Sequence, residues 1–342
     1  MAALLKEIGL RKDYLQGETV NTIYFGGGTP SILRISDLTL IIELLTRHFN
    51  IDPHAEITLE ANPDDITEEK ARAWKSTSVN RLSIGIQSFF DDDLHYLNRV
   101  HNAEQAIRSI DVVRMAGFKN LTIDLIYGIP TLTEEKWERN LETFFSLNIP
   151  HLSAYSLTVE QKTPLALLIQ KGKYAPLDEQ QSIGHFKMLL EKAKAHKFIH
   201  YEISNFAIEG YYSKHNSIYW LGGNYLGLGP SAHSFNGHSR QWNVSNISKY
   251  IQLDDYHTTV EENEILTTDQ RYNEYVMTSL RTSWGSDTVH IRNVFGEKYE
   301  SHFLLNAKSS LKKSHLYHEG TKYFLTDEGK LFADGIAAGL FF

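Results

Sequence analysis

No cysteine occurs among the 342 residues of this chain. That absence excludes disulfides and thiolate metal sites built from these residues alone. Long apolar runs are missing as well. Nothing approaches the roughly 18 residues of a membrane-spanning helix, and the N-terminus lacks the pattern of a secretory signal, so the cytoplasm is the expected location, with peripheral membrane contact left open. Clustered positive charge is also lacking. With 34 Lys and Arg against 42 Asp and Glu, the formal charge is −8, which disfavours nonspecific attraction to nucleic-acid phosphates. What is present is ordinary for a compact soluble protein: 42% hydrophobic and 22% charged residues. The length exceeds the roughly 250 to 300 residues that one core usually serves, so a large domain with a smaller one is expected.

Apolar, β-branched runs predict strands over Val20 to Phe25, Ala55 to Glu60, Arg81 to Gln87, Leu121 to Tyr127 and His151 to Leu157. Helical spacing fills the intervals, as in Leu38, Ile41, Ile42 and Leu45, in Ala106, Ile107, Ile110 and Val113, and in Trp137, Leu141, Phe144 and Phe145. Ser36 and Thr133 suit helix starts, Asn102 with Gln105 suits a capping box, and Gly117 suits a helix end. Consecutive strand-helix-strand units imply parallel pairing with right-handed crossovers, hence an α/β barrel or an open parallel sheet.

Polar residues gather at the strand ends: Thr29, Glu60, Gln87, Asp124 and Ser156. In (β/α) barrels those ends open on one shared face, so these residues are candidates for a common site. Each also has a structural reading as a helix cap or loop acceptor. The turn Gly26-Gly27-Gly28 follows a strand and precedes a helix, with Pro30 stiffening its exit. Residues without Cβ let a ligand approach backbone N–H groups. The spacing is neither G-x-G-x-x-G nor a Walker A loop, which argues against a Rossmann or P-loop nucleotide site.

YFGGGTPS at 24–31, LEANP at 59–63, SIGIQSF at 83–89, LNRVH at 97–101 and DLIYGIP at 124–130 together resemble the radical S-adenosylmethionine (SAM) proteins of the oxygen-independent coproporphyrinogen III oxidase group. The resemblance runs along the whole chain and implies a partial (β/α)6, TIM-like barrel. It also implies SAM contacts at Gly27, Gly28, Thr29, Glu60, Gln87, Arg99 and Asp124. The residue types suit those roles: Arg99 can clamp a carboxylate, Glu60 can accept from an ammonium or hydroxyl, and Asp124 can accept from a ribose diol. Other roles stay open, Arg99 as an ion pair to Asp91 or Asp93 and Asp124 as a buried structural acceptor.

Members of this group bind a 4Fe–4S cluster through a CxxxCxxC loop after the first barrel strand, and the cluster in turn binds SAM. Neither that strand nor that loop is found in these residues. Met1 to Ile8 reads like the helix that follows the loop, so the chain is expected to be an N-terminally truncated member rather than one that has lost its cluster.

Sixteen histidines invite metal readings, yet no H-E-x-x-H spacing occurs. One stretch stands apart. His215 precedes Tyr219 and Trp220 and a glycine-rich segment that runs to His233. A histidine beside aromatic rings suits axial ligation of haem iron, and it equally suits a structural loop in which the ring bonds a backbone carbonyl. The pattern HNxxYW, filled by His215, Asn216, Tyr219 and Trp220, is similar to the signature of the HemW-type haem chaperones. That resemblance implies haem binding, with His215 as the iron ligand and His233 as a weaker second, and delivery of haem to respiratory apoproteins. The alternative within the same lineage is an oxidoreductase that decarboxylates coproporphyrinogen III. A phosphate-binding barrel of eight strand-helix units is the remaining reading, and only five clear strands are counted.

From about Asn263 the pattern becomes a helix over Asp269 to Leu280, a hairpin pairing Leu316 and Tyr317 with Lys322 to Leu325, and a short final helix capped by Thr326. This resembles a winged-helix-like domain, and its interspersed charges disfavour a nucleic-acid surface. Phe324, Phe332, Phe341 and Phe342 suit packing on the barrel or contact with a partner, and core packing is the expected role. The expected division is thus 1–210 for the partial barrel, 211–262 for the haem-motif loop and connection, and 263–342 for the C-terminal domain.

Overall fold

The structure is a computed structural model describing residues 1–252 and 259–342, so residues 253–258 of the expected connection lie outside the described part. Its main sheet has seven strands: β1 (Val20–Phe25), β2 (Ile51–Ala61), β3 (Arg81–Gln87), β4 (Asn120–Tyr127), β5 (His151–Ser156), β6 (Ile199–Glu202) and β7 (Asn205–Ala207). Their order is β1-β2-β3-β4-β5-β7-β6. The pairs β2–β3, β3–β4 and β4–β5 are parallel, as strand-helix-strand units require, whereas β7 runs antiparallel to both β5 and β6. The sequence reading found β1 to β5 and missed the last two. Strands of four and three residues carry too little alternation to be seen.

The helices between the strands are α1 (Ala2–Leu10), α2 (Ile35–His48), α3 (Glu68–Ser76), α4 (Asp91–Tyr96), α5 (Ala103–Met115), α6 (Glu134–Ser146), α7 (Pro164–Gln170) and α8 (Glu179–Ala195). Thr133 caps α6 by accepting from the Lys136 N–H, and Asn102 with Gln105 forms the complete capping box of α5. Gly117 leaves α5 at φ 93°, a left-handed value that glycine adopts without strain. Ser36 is not a cap. The helix starts two residues earlier, where the Arg34 guanidinium pairs with Asp37 at 2.7 Å and the Arg34 carbonyl accepts from the Leu38 N–H. Ile107 is also not core. It is 39% exposed, because Ala106, Ile110 and Val113 complete the buried stripe without it.

The described residues form two compact units, one of Met1–Ile23, Arg34–Glu56 and Ser213–Phe342, the other of Tyr24–Leu33 and Ile57–Tyr212. In the second unit β3 is buried along nearly its whole length, as expected of a central parallel strand. Its core joins Leu82, Ile84, Ile123, Leu125 and Leu152 to the fully buried Trp74, Trp137 and Phe144. The Trp137 indole N–H is satisfied by the His185 carbonyl at 2.8 Å.

The first unit continues after Ser213 with α9 (Lys214–Trp220), β8 (His233–Phe235), β9 (Ser239–Asn243), α10 (Ile247–Ile251) and β10 (Val260–Ile265). Strands β10, β9 and β8 make a three-stranded antiparallel sheet. Then come α11 (Thr268–Leu280), β11 (Ser286–Asp287), α12 (Thr288–Phe295), α13 (Glu297–Lys312), β12 (Leu316–Glu319), β13 (Lys322–Leu325), α14 (Asp327–Lys330) and α15 (Ala333–Ala338). The hairpin pairs Leu316 with Leu325 and Tyr317 with Phe324, and β11 adds to β13, giving helices beside a small three-stranded sheet. Thr326 caps α14 as expected, with one more short helix behind it. Phe332 departs from the expected core. It is 52% exposed and stacks on His315 at 5.1 Å, while Phe342 packs on Tyr299 at 4.6 Å.

Candidate functional site

The turn after β1 is built by backbone geometry. Gly27 and Gly28 have φ of 73° and 61°, values that side chains with a Cβ resist. Gly26 is required for space, since a Cβ there would lie 2.4 Å from the Tyr24 ring and 2.9 Å from Glu60 Oε1. Glu60, near the end of β2, locks the turn by accepting from the Tyr24 hydroxyl at 2.7 Å and from the Gly27 N–H at 3.1 Å. Burial and the Glu60 charge push the Tyr24 phenol far up, so it stays a donor at any physiological pH.

Asp124 stands in β4 beside Ser83 of β3, whose hydroxyl approaches at 3.3 Å, and opposite Ser153 of β5. Desolvation first, and then the Glu60 charge, raise the Asp124 carboxyl to about 7, against hydrogen bonds from Ser83 and Ser153 and the more distant Arg81. Arg99 lies in the segment after α4. Its Nη2 donates to Asn62 Oδ1 at 2.7 Å and to the Gly85 carbonyl at 3.3 Å, so the ion pair to Asp91 or Asp93 is not formed. Those two acids are used elsewhere: Asp91 accepts from the Ala103 N–H, and buried Asp93 accepts from Ser88, Thr131 and Lys136. Desolvation lowers the Arg99 pKa, opposed by the fields of Asp64 and Asp124. Gln87 ends β3 at φ 68°, a left-handed conformation at the register shift between β3 and β4. Its Nε2 would lie 2.9 Å from a Cβ added at Gly85, which puts it next to the Arg99 contact.

Gly27, Glu60, Gln87, Arg99 and Asp124 are thus joined by hydrogen bonds, close approach or electrostatic coupling within one unit. Thr29 heads the short turn Pro30–Ile32, with Gly28 before it, and Ser156 closes β5. Neither Thr29 nor Ser156 makes a side-chain hydrogen bond to that group among the described residues. Tyr24, Asn62 and Ser83, which orient Glu60, Arg99 and Asp124, were not singled out from the sequence. All three stand inside quoted segments, YFGGGTPS, LEANP and SIGIQSF, which was the available signal.

The histidine segment folds as helix α9 rather than a loop, capped by Ser213, whose hydroxyl accepts from the Asn216 N–H at 3.2 Å. The backbone N–H of His215 donates to Glu56 Oε1 of β2 at 3.1 Å, its Nδ1 meets Thr22 Oγ1 of β1 at 2.9 Å, and its Nε2 meets the Tyr219 hydroxyl at 3.0 Å. Among the described residues the ring meets side chains on both edges, Thr22 at one and Tyr219 at the other. Desolvation lowers the His215 imidazole to about 4, which keeps it neutral at pH 7. Tyr219 is 42% exposed and half-turned toward Tyr225, 4.7 Å away. Burial of its hydroxyl end, and then Tyr225, raise it to about 12. Trp220 closes the helix, half-buried. His233 lies exposed on β8, edge-on to Trp242 at 5.6 Å.

A cluster does not fit the side chains present. None of the residues is cysteine, and no group of three or more His, Asp or Glu among the described residues is gathered to hold a metal ion. No described helix is long and apolar enough to cross a membrane.

Residues 4–144 match the family model of the Radical SAM superfamily. The chain is similar to the heme chaperone HemW of Bacillus subtilis, 34% identical over 93% of this chain and 84% of that protein. It is 31% identical to the heme chaperone HemW of Mycobacterium tuberculosis, over 99% of this chain and 85% of that one. Among solved structures, coproporphyrinogen III oxidase (HemN) from Escherichia coli superposes with a TM-score of 0.83, covering 99% of this chain and 82% of that one at 23% identity, which is a likeness of fold.

Proposed function

Because the chain belongs to the HemW family of radical SAM proteins, we propose that it is a haem carrier that ligates haem iron through His215 and passes the haem to apo-haemoproteins, respiratory ones among them. The observation that carries this reading is the state of the imidazole. It is neutral, held at Nδ1 by Thr22, and its Nε2 lies toward the exposed Tyr219. A neutral imidazole whose second nitrogen is tied is the usual form of a histidine metal ligand. Asn216 shapes the same helix, and Tyr219 and Trp220 offer ring faces to the macrocycle. His233 is a second, weaker candidate.

SAM is assigned to the glycine turn. Gly27 and Gly28, with Thr29 behind them, would bring backbone to the methionine part, Glu60 would accept from its ammonium, and Arg99 would take its carboxylate with the N–H groups left over from Asn62. Asp124 would accept from the ribose diol, and Gln87 would close the wall beside Arg99. SAM would supply radical chemistry only beside a reduced cluster, which the side chains of this chain do not hold; the residues named here would bind and orient it. Within this reading residues 211–262 serve haem and 263–342 face a partner. The oxidase activity named for the Escherichia coli structure rests on likeness of fold alone.

Titration with haem tests the carrier reading. Replacing His215 by Ala should weaken binding about tenfold or more, roughly 1.4 kcal/mol, through loss of the axial bond. An unchanged Soret titration in the variant would sink the assignment.

A further inference from the structure

A carrier has to let go of its cargo, and the His215 ring shows how. His215 and Tyr219 stand one helical turn apart on α9, so their side chains share a face. Their rings meet edge-on at 5.2 Å and 87°, with the phenol oxygen 3.0 Å from Nε2. At the other side of the ring, Nδ1 is 2.9 Å from Thr22 Oγ1. A threonine hydroxyl accepts as readily as it donates, while a phenol is the stronger donor. The arrangement that satisfies both ends puts the proton on Nδ1 and the lone pair on Nε2, with the Tyr219 O–H donating into it. That lone pair is the one haem iron would use.

We propose that Tyr219 is an intramolecular competitor for the haem iron at His215, displaced when haem binds and returning to Nε2 when haem leaves. This rests on the reading of His215 as the iron ligand. One lone pair cannot serve a hydroxyl proton and an iron together, so binding exchanges one bond for the other, with no proton gained or lost by the imidazole. Tyr219 has a place to go. It is 42% exposed, and its ring already lies 4.7 Å from Tyr225, which is fixed by two backbone hydrogen bonds to Phe235. The imidazole has less freedom. Thr22 holds its ring, and Glu56 holds its backbone N–H at 3.1 Å. The phenol therefore moves, and Tyr219 becomes the residue that tunes release.

The test uses the full chain loaded with haem, with excess apomyoglobin as acceptor, and reads both the rate of haem loss and the Soret band. Tyr219→Phe keeps the ring and its packing on Tyr225 but deletes the competitor. Loss should slow about fivefold, the worth of one ordinary hydrogen bond, with the Soret position unchanged. Equal or faster loss would overturn the proposal, and so would a shifted Soret band, which would make Tyr219 an iron ligand instead. His215→Ala is read in parallel. If it loses haem rapidly while Tyr219→Phe behaves like the wild type, the competitor role fails and His215 stands as ligand. If His215→Ala retains haem like the wild type with the same spectrum, the carrier site at His215 falls and the competitor falls with it.

Discussion

Asp124 is a carboxyl set within a strand whose neighbours Ile123 and Leu125 are fully buried, and its pKa of about 7 records that setting. The sign follows from the direction of the shift. A folded-state value above the ordinary carboxylate value means the fold favours the protonated acid. Its contribution to stability is complete at low pH, below the unfolded value, and is lost as pH rises through about 7. Asp124→Asn replaces the acid by a neutral isostere, so it should raise Tm at pH 8 by a few degrees relative to the wild type, with the gap shrinking as pH falls below about 7 and closing only below the ordinary carboxylate value, roughly pH 4. If the proposed SAM site is right, the same variant should bind SAM about tenfold more weakly, since a charged acceptor is replaced by an amide. Thermal melts across pH and SAM calorimetry read the two effects; a gap that does not grow with pH would discount the raised pKa. Asp124 stood out in the sequence because an acid within an apolar strand is costly without a partner, whereas Arg99, in the segment after α4, was picked out only by the resemblance carried by LNRVH. The holders of the site residues did not stand out. Tyr24 reaches Glu60 across 36 residues and Asn62 reaches Arg99 across 37, and no local pattern announces such pairs.

At the scale of elements, local chemistry was readable wherever it was self-contained. The capping box of α5 needs only four consecutive residues: Asn102 Oδ1 accepts from the Gln105 N–H at 2.8 Å, and Gln105 Oε1 accepts from the Asn102 N–H at 2.9 Å. Ser36 looked equally good in isolation and failed, because the turn Pro30–Ile32 and the Arg34–Asp37 pair set the start of α2 from outside the helix pattern. The α5 cap also ends the segment that carries Arg99 and the buried His101, whose Nε2 meets the Ile86 carbonyl at 3.0 Å. Asn102→Ala should cost about 1 kcal/mol in urea denaturation. A loss below about 0.3 kcal/mol would show that packing, rather than the cap, holds this end of the helix.

At the scale of the molecule, the first helix is tied to residues far along the chain, all within one unit. Glu7 and Arg11, one turn apart on and just after α1, are 0% and 1% exposed. Glu7 accepts from the Gly229 N–H at 2.8 Å, from Asn243 Nδ2 at 2.6 Å and from the Tyr250 hydroxyl. Arg11 donates to Asn243 Oδ1 at 3.2 Å, Ser234 Oγ at 3.2 Å and Gln241 Oε1 at 3.0 Å. Desolvation pushes the Glu7 carboxyl up, and the three donors together with Arg11 pull it back. Nothing in residues 1–11 announces partners beyond residue 228, because a short amphipathic helix records only that it has a buried face. Arg11→Met keeps the bulk but leaves Glu7 without its cation and three acceptors without their donor. The expected loss is about 3 kcal/mol, in the range found when one member of a buried charged network is removed. Glu7→Gln alone can keep, with its single amide oxygen in the place of Oε2, the bonds from Gly229 and Tyr250 while losing that from Asn243, and should cost less. The double variant separates a network from two independent residues: with both charges gone, its loss should fall short of the sum of the single losses by about 1 kcal/mol or more. Strict additivity in urea denaturation would mean that the two residues act independently, and that the electrostatic attraction between Arg11 and Glu7 contributes nothing to fastening α1.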